Sequence, residues 1–181
     1  MIITLDGLDG VGKSTVANLL VEKINAKIIK GVRDVYVDKL AFESKHIDVR
    51  CLYYLASFLD SVLDSKKEKD SIIIFDKSYY STIVYHKLLG SKIDIEETLT
   101  KIVSPDLKIY LTCNQDLWKK RLRERNKLDW YEEKLLTIQY LPEKIEALYA
   151  ELGLIRIENN NLNETVLEIV KMITKMKANE Q

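Results

Sequence analysis

The sequence predicts an α/β fold in three layers, a parallel five-stranded sheet flanked by helices. Three observations carry this. Short apolar runs rich in β-branched residues recur five times along the 181 residues. Stretches with helical spacing separate them. Between the first run and the first helix stands a complete G-x-x-x-x-G-K-[ST] loop, Gly7-Leu8-Asp9-Gly10-Val11-Gly12-Lys13-Ser14. Strands that alternate with helices are joined by crossovers, and crossovers give parallel strands covered on both faces.

The elements follow in order. Ile2-Ile3-Thr4-Leu5 reads as the first strand, and Val16, Leu19, Leu20 and Ile24 lie on one face of the helix after the loop. The second strand spans 26–31, around Lys27-Ile28-Ile29-Lys30. Residues 49–65, rich in Leu and Tyr, have helical spacing, and the charged segment 66–70 reads as a solvated loop. The third strand runs over 71–75 and ends at Asp76. Ser104-Pro105-Asp106 punctuates the entry to the fourth, 107–111. Asn114 is placed to cap the next helix. The fifth strand is 154–157, and 164–176 is a final amphipathic helix with Val166, Ile169, Val170 and Ile173 on one face. No interdomain linker, repeat or low-complexity tract interrupts this series, so residues 1–181 read as one domain.

Composition narrows the function. Hydrophobic residues make up 46% and charged residues 31% of the chain, as in a globular protein. Lys+Arg and Asp+Glu both number 28, so the net charge is zero, which argues against a general nucleic-acid binder. No apolar stretch approaches the roughly 18 residues of a membrane span. The first strand starts at once and leaves no room for a signal peptide. Cys51 and Cys113 sit in apolar surroundings without metal-ligand spacing and read as buried free thiols in a reducing compartment. A cytoplasmic location is expected.

The loop is the strongest chemical signal. Its glycines allow the backbone to wrap a polyphosphate with N–H groups inward, and the helix N-terminus adds partial positive charge at the same point. These features mark the P-loop NTPase fold, with Gly7, Gly10, Val11, Gly12, Lys13, Ser14 and Thr15 as the ATP-binding set. Lys13 can reach the β- and γ-phosphates, and the Ser14 hydroxyl can ligate Mg2+. A carboxylate at the carboxyl end of a parallel strand points into the crevice where such sheets bind ligands. Asp76 holds that position and is the second expected metal residue; the alternative is a carboxylate that caps the next helix. After the fourth strand, Arg121 and Arg125 share a helix face and could clamp phosphates during transfer. Nearby Glu124, Glu132 and Glu133 support the alternative of a solvated, salt-bridged helix. Asn126-Lys127-Leu128-Asp129 spells the N-K-x-D signature of GTPases, but it follows a basic helix instead of an apolar strand, and no D-x-x-G follows the third strand.

The run from Asp76 to His86 resembles the thymidylate kinase family, which carries D-R-Y-x-x-S-x-x-A-Y-Q here. Asp76, Ser81 and Tyr85 keep register, while Lys77, Ser78, Val84 and His86 depart from it. The acidic residue between the loop glycines, Asp9, also matches. The resemblance implies that Asp9 lies near the acceptor sugar hydroxyl or the metal. It implies that Arg33 grips the acceptor phosphate and that Lys77 and Tyr85 belong to the acceptor site. It places Arg121 and Arg125 at the start of a lid over ATP, about residues 120–135, where Asp129 and Glu132 keep register and Trp130 replaces an arginine. Related deoxynucleoside kinases carry an acidic-Arg-Ser motif at the third strand, and Asp76-Lys77-Ser78 is close to that too.

One departure bears on the base. Thymidylate kinases end a helix with L-L-F-A-A-D-R, whose Phe stacks on thymine and whose Arg bonds it; Leu55 and Leu59 stand there in this chain. The expected activity is therefore transfer of the ATP γ-phosphate to a nucleoside monophosphate, dTMP first, with Lys13, Asp9, Arg121 and Arg125 as catalytic residues and looser base selection. The alternatives are a deoxynucleoside kinase, for which Asp34 would be the base, and a nucleotide-binding regulator that has lost catalysis. The resemblance and an apolar, tyrosine-rich surplus in 49–65 and 79–89 imply a homodimer.

Overall fold

A computed structural model describes every residue except 32–38, 41–42, 66–70, 95, 125–132, 134–135, 138–139 and 180–181. Among the described residues, five strands form: β1 (Ile2–Gly7), β2 (Ala26–Lys30), β3 (Ile72–Asp76), β4 (Leu107–Thr112) and β5 (Ile155–Glu158). The helices named among the described residues are α1 (Lys13–Ile24), α2 (Ile47–Ser65), α3 (Tyr79–Leu88), α4 (Glu96–Ile102), α5 (Gln115–Arg123), α6 (Leu141–Glu151) and α7 (Leu162–Asn179). The sheet is wholly parallel, in the order β2-β3-β1-β4-β5. All five expected strands form. β1 runs two residues past Leu5 because Asp6 and Gly7 ladder with Tyr110 and Leu111 of β4. The charged segment 66–70 lies outside the described residues.

Parallel register brings all carboxyl ends to one edge. Leu5 and Lys30 both pair with Asp76, Gly7 with Leu111, and Thr112 with Glu158. The carboxyl ends of the strands therefore share one edge, the usual ligand site of an open α/β sheet.

The strands are buried because helices flank them. α1 packs on α7, and α3 packs on α2 and α6. Ile3, Leu5, Ile74, Ile109, Val16, Val166 and Ile169 are wholly buried. An aromatic seam closes the side of α2 and α3. Phe58 meets Phe75 at 5.0 Å and Tyr79 at 5.3 Å, in the tilted and edge-on geometries that aromatic pairs prefer. Cys51 is buried as expected, and burial pushes its thiol up to about 11. Cys113, just past the end of β4, is only half-buried, because the crevice begins there.

His86 lies in this seam. It is 6% exposed, donates from Nδ1 to the Thr82 carbonyl at 2.8 Å, and its Nε2 has no partner among the described residues. Burial holds its pKa below the usual histidine value; Arg50 and Lys77 push the same way, and the Thr82 contact and Asp48 oppose. The unfolded chain then binds a proton that the folded chain refuses. Stability is full above the unfolded value of about 6.5 and falls as pH drops below it. The denaturation midpoint should fall between about pH 7.5 and about pH 5.5. His86→Gln should show a smaller fall over the same interval in parallel urea titrations; an equal fall would show that His86 is not the group responsible.

Candidate active site

The phosphate-loop motif is built between β1 and α1, and three neighbours hold it from outside. Gly7 has φ 131, and a Cβ there would lie 2.2 Å from the Leu111 carbonyl oxygen, so only glycine lets β1 stay laddered to β4 as it turns. Trp118 Nε1 donates to the Asp9 carbonyl at 2.8 Å. Asn159 Nδ2 and Arg121 Nη1 both donate to the Val11 carbonyl, at 2.8 and 3.1 Å. Trp118 and Leu122 reach the loop because they share the buried face of α5, whose start Asn114 caps by accepting from the Asp116 N–H at 2.9 Å.

Charge is concentrated inside the loop. Lys13 is 7% exposed, and its ammonium donates to the Gly7 and Leu8 carbonyls, each at 2.9 Å, with Asp9 Oδ1 at 3.4 Å. Burial lowers its pKa, and the Asp9 carboxylate is the largest influence against that. Asp9 Oδ2 faces a second ammonium, Lys77 Nζ, at 3.6 Å. Lys77 has φ 72, a left-handed backbone that is uncommon for a non-glycine residue. Its N–H donates to the Leu5 carbonyl at 3.0 Å, and its Nζ stands 5.1 Å from the Tyr85 ring centre, a cation–π distance. The strained turn carries the side chain back from β3 over the loop.

Ser14 Oγ donates to Asp76 Oδ2 at 2.5 Å, which brings two oxygen donors together at the loop's edge. The helix after β3 is capped by Ser78, whose Oγ accepts from the Tyr80 N–H at 3.2 Å, so capping is not the role of Asp76. Mg2+ takes hard oxygen ligands and is usually held by one or two protein groups, with water and substrate phosphates completing the shell. The Ser14–Asp76 pair fits that chemistry.

Beneath this layer lies Asp6, wholly buried at the end of β1. It accepts from the Ser78 N–H at 2.9 Å, Ser78 Oγ at 2.6 Å, Ser81 N–H at 3.2 Å and Ser81 Oγ at 2.6 Å. Ser81 Oγ also pairs with Tyr149 Oη at 2.9 Å. Burial raises the Asp6 pKa; the serine donors and Lys13 pull it down.

The model for thymidylate kinase matches residues 5–173. The chain belongs to the thymidylate kinase family. The thymidylate kinase of Helicobacter pylori is 32% identical over 167 residues, which cover 84% of this chain and 86% of that one. In solved structures, the fold is similar to thymidylate kinase from Candida albicans, with TM-score 0.69 and 19% identity over 97% of this chain and 92% of that one. It is equally similar to deoxyadenosine kinase from M. mycoides, with TM-score 0.68 and 20% identity over 97% of this chain and all of that one. Thymidylate kinases are ATP-dependent nucleoside monophosphate kinases, and this chain is an enzyme of that kind.

In this family member, the structure brings Asp9, Lys13, Ser14, Asp76, Lys77 and Tyr85 to one crevice. Gly10, Gly12, Thr15, Arg121, Asn159 and Leu162 line a pocket of about 330 Å³ beside the loop. Arg33, Arg125 and most of the expected lid lie outside the described residues. Leu55 is 2% exposed within the core, and Leu59 packs against it half-buried. Sequence reasoning missed Asp6, Trp118, Tyr149 and Asn159 as parts of the site. A charged residue that directly follows an apolar strand was the available signal for Asp6; Asn159 begins a three-asparagine run that gave none. Asp6→Ala should leave several donors at the start of α3 without an acceptor. We expect a loss of about 2–4 kcal/mol in urea unfolding, with a smaller loss for Asp6→Asn, which keeps one acceptor oxygen. A change under about 0.5 kcal/mol for Asp6→Ala would place Asp6 among neutral positions.

Proposed function

We propose that this kinase transfers the γ-phosphoryl group of MgATP to dTMP, giving dTDP and ADP. The observation that carries the reading is the convergence of Lys13, Asp9 and Lys77 with the Ser14–Asp76 pair on one phosphate loop. Loop amides and Lys13 hold the donor phosphates. Ser14 and Asp76 hold magnesium, which supplies charge neutralisation when bound. Lys77 and Arg33 bind the acceptor, with the Tyr85 ring beneath Lys77. Arg125 serves the transferring group from the lid, and Arg121 serves the donor by bracing the loop through the Val11 carbonyl. In the transfer, an acceptor phosphate oxygen forms the new bond to the γ-phosphorus as the bond to the β–γ bridging oxygen breaks, and ADP leaves with that electron pair.

A monophosphate acceptor fits better than a free nucleoside. Its phosphate oxygen is already anionic near neutral pH and needs no general base. Asp6 is buried under four donors, and Asp9 is engaged by two ammonium groups, so neither carboxylate is arranged to take a proton from a sugar hydroxyl. The deoxynucleoside kinase reading rests on Asp34, which lies outside the described residues. A regulator without catalysis would have little use for a buried Lys13 held against Asp9.

Steady-state assays with dTMP, dUMP, other monophosphates and thymidine test the reading. We expect dTMP to be the best acceptor, with weaker discrimination against dUMP than a base-reading arginine would impose, since Leu55 and Leu59 offer no hydrogen-bond donor. Arg33→Ala should raise the acceptor KM and leave ATP binding nearly unchanged. Lys13→Ala should cut turnover by about 100-fold or more. Phosphorylation of thymidine with no monophosphate activity would assign the protein to the nucleoside kinases.

The enzyme works as a homodimer through α2. Val49, Leu52 and Leu63 are 40%, 47% and 54% exposed and recur at spacings close to whole helical turns. Such an exposed apolar stripe suits an isologous helix pair. Light scattering at micromolar concentration should give twice the chain mass, and Leu52→Glu with Leu63→Glu should give the monomer. A monomeric parent protein would refute the assembly.

A further inference from the structure

We propose that Asn159 is a positioning residue for phosphoryl-donor binding: with Arg121 it fixes the Val11 carbonyl and thereby aims the Gly12 N–H into the phosphate loop. The inference rests on the reading of that loop as the donor-phosphate site. Two donors from different elements converge on one carbonyl oxygen, Asn159 Nδ2 at 2.8 Å and Arg121 Nη1 at 3.1 Å. The Val11–Gly12 peptide is trans, as are all the others described. In a planar trans peptide the C=O and the following N–H point in opposite directions. A Val11 carbonyl drawn outward to β5 and α5 therefore turns the Gly12 N–H inward. That N–H directly precedes α1, where the first N–H groups have no intrahelical acceptor and favour an anion.

The lock is itself held. The Asn159 N–H donates to the Thr112 carbonyl at 2.7 Å, and the Asn159 carbonyl accepts from Arg121 Nη1 at 3.3 Å. The side chain is 1% exposed, so its orientation does not depend on solvent. The close approach also depends on Gly12: a Cβ there would lie 2.7 Å from Asn159 Nδ2, so the amide can sit here only against a glycine. Asn159 Oδ1 is buried with no partner among the described residues. A buried acceptor without a donor is destabilising, and an apolar side chain would avoid that cost. What the amide provides in return is the Nδ2 donation to Val11.

The test compares the parent protein with Asn159→Ala and Asn159→Asp by calorimetry, with two ligands, MgATP and inorganic tripolyphosphate. Tripolyphosphate has no base or sugar, so its binding reports the loop alone. Asn159→Asp keeps the shape but turns an oxygen toward the Val11 carbonyl. It should weaken both ligands by the same factor, about tenfold, and Asn159→Ala, which leaves Arg121 in place, by less. Relative to the parent, Asn159→Asp should recover affinity as pH falls, because a protonated carboxyl can again donate to Val11. A merely structural role would lower the unfolding midpoint without this pH-dependent recovery. Equal tripolyphosphate binding by all three proteins overturns the proposal, and so does weakened MgATP binding with unchanged tripolyphosphate binding. If the parent binds neither ligand, the donor-site reading fails as well.

Discussion

A buried carboxylate at the end of β1 joins the two halves of the site. Asp6 would be costly to bury alone, because a charge removed from water loses its hydration. Its four donors, two backbone N–H groups and two hydroxyls, all come from Ser78 and Ser81 at the start of α3. Hydrogen bonds to an ionised acceptor are stronger than neutral ones, and a helix N-terminus favours negative charge. The first turn of α3 is thereby tied to the residue that directly precedes Gly7. Because Lys77 sits between β3 and that turn, the same tie sets how far its side chain stands from the loop. Tyr149, from α6, extends the network through Ser81.

Above this foundation the site is organised by charge. Asp9 bridges Lys13 and Lys77, so two ammonium groups that would repel each other share one carboxylate. A polyphosphate that enters the loop brings its own negative charge to Lys13. This arrangement provides positive charge in place before the reacting group arrives, which is the main protein contribution to phosphoryl transfer. At Lys77 the site presents an ammonium, a point charge, and not the bidentate fork of an arginine. The Lys77 side chain is half-exposed and its backbone is left-handed, so its ammonium reaches Asp9 from the solvent side of the loop.

The loop's outer wall shows how distant segments act together. Trp118 and Arg121 come from α5, and Asn159 comes from the end of β5. Each donates to a loop carbonyl. Outward carbonyls leave inward N–H groups, the condition for cradling an anion. The loop is thus shaped by contacts more than 100 residues away as well as by its own glycines.

Much of this was legible in the sequence because the information is local. Strands of four to six residues, a glycine loop and the apolar face of α7 announce themselves by spacing, and spacing is set by backbone geometry. Lys13, Ser14 and Asp76 could be named because chain position alone delivers them to the carboxyl edge of a parallel sheet. The roles of Asp6 and Asn159 could not be read in this way. A carboxylate after a strand becomes a helix anchor only when α3 is brought against it. An asparagine in a polar run becomes a clamp on Val11 only when β5 takes its place beside β4. Residue types and periodicity determined the fold class and the phosphate chemistry; the packing of segments remote in the chain decided which polar groups meet, because hydrogen bonds depend on position in space and not on separation in sequence.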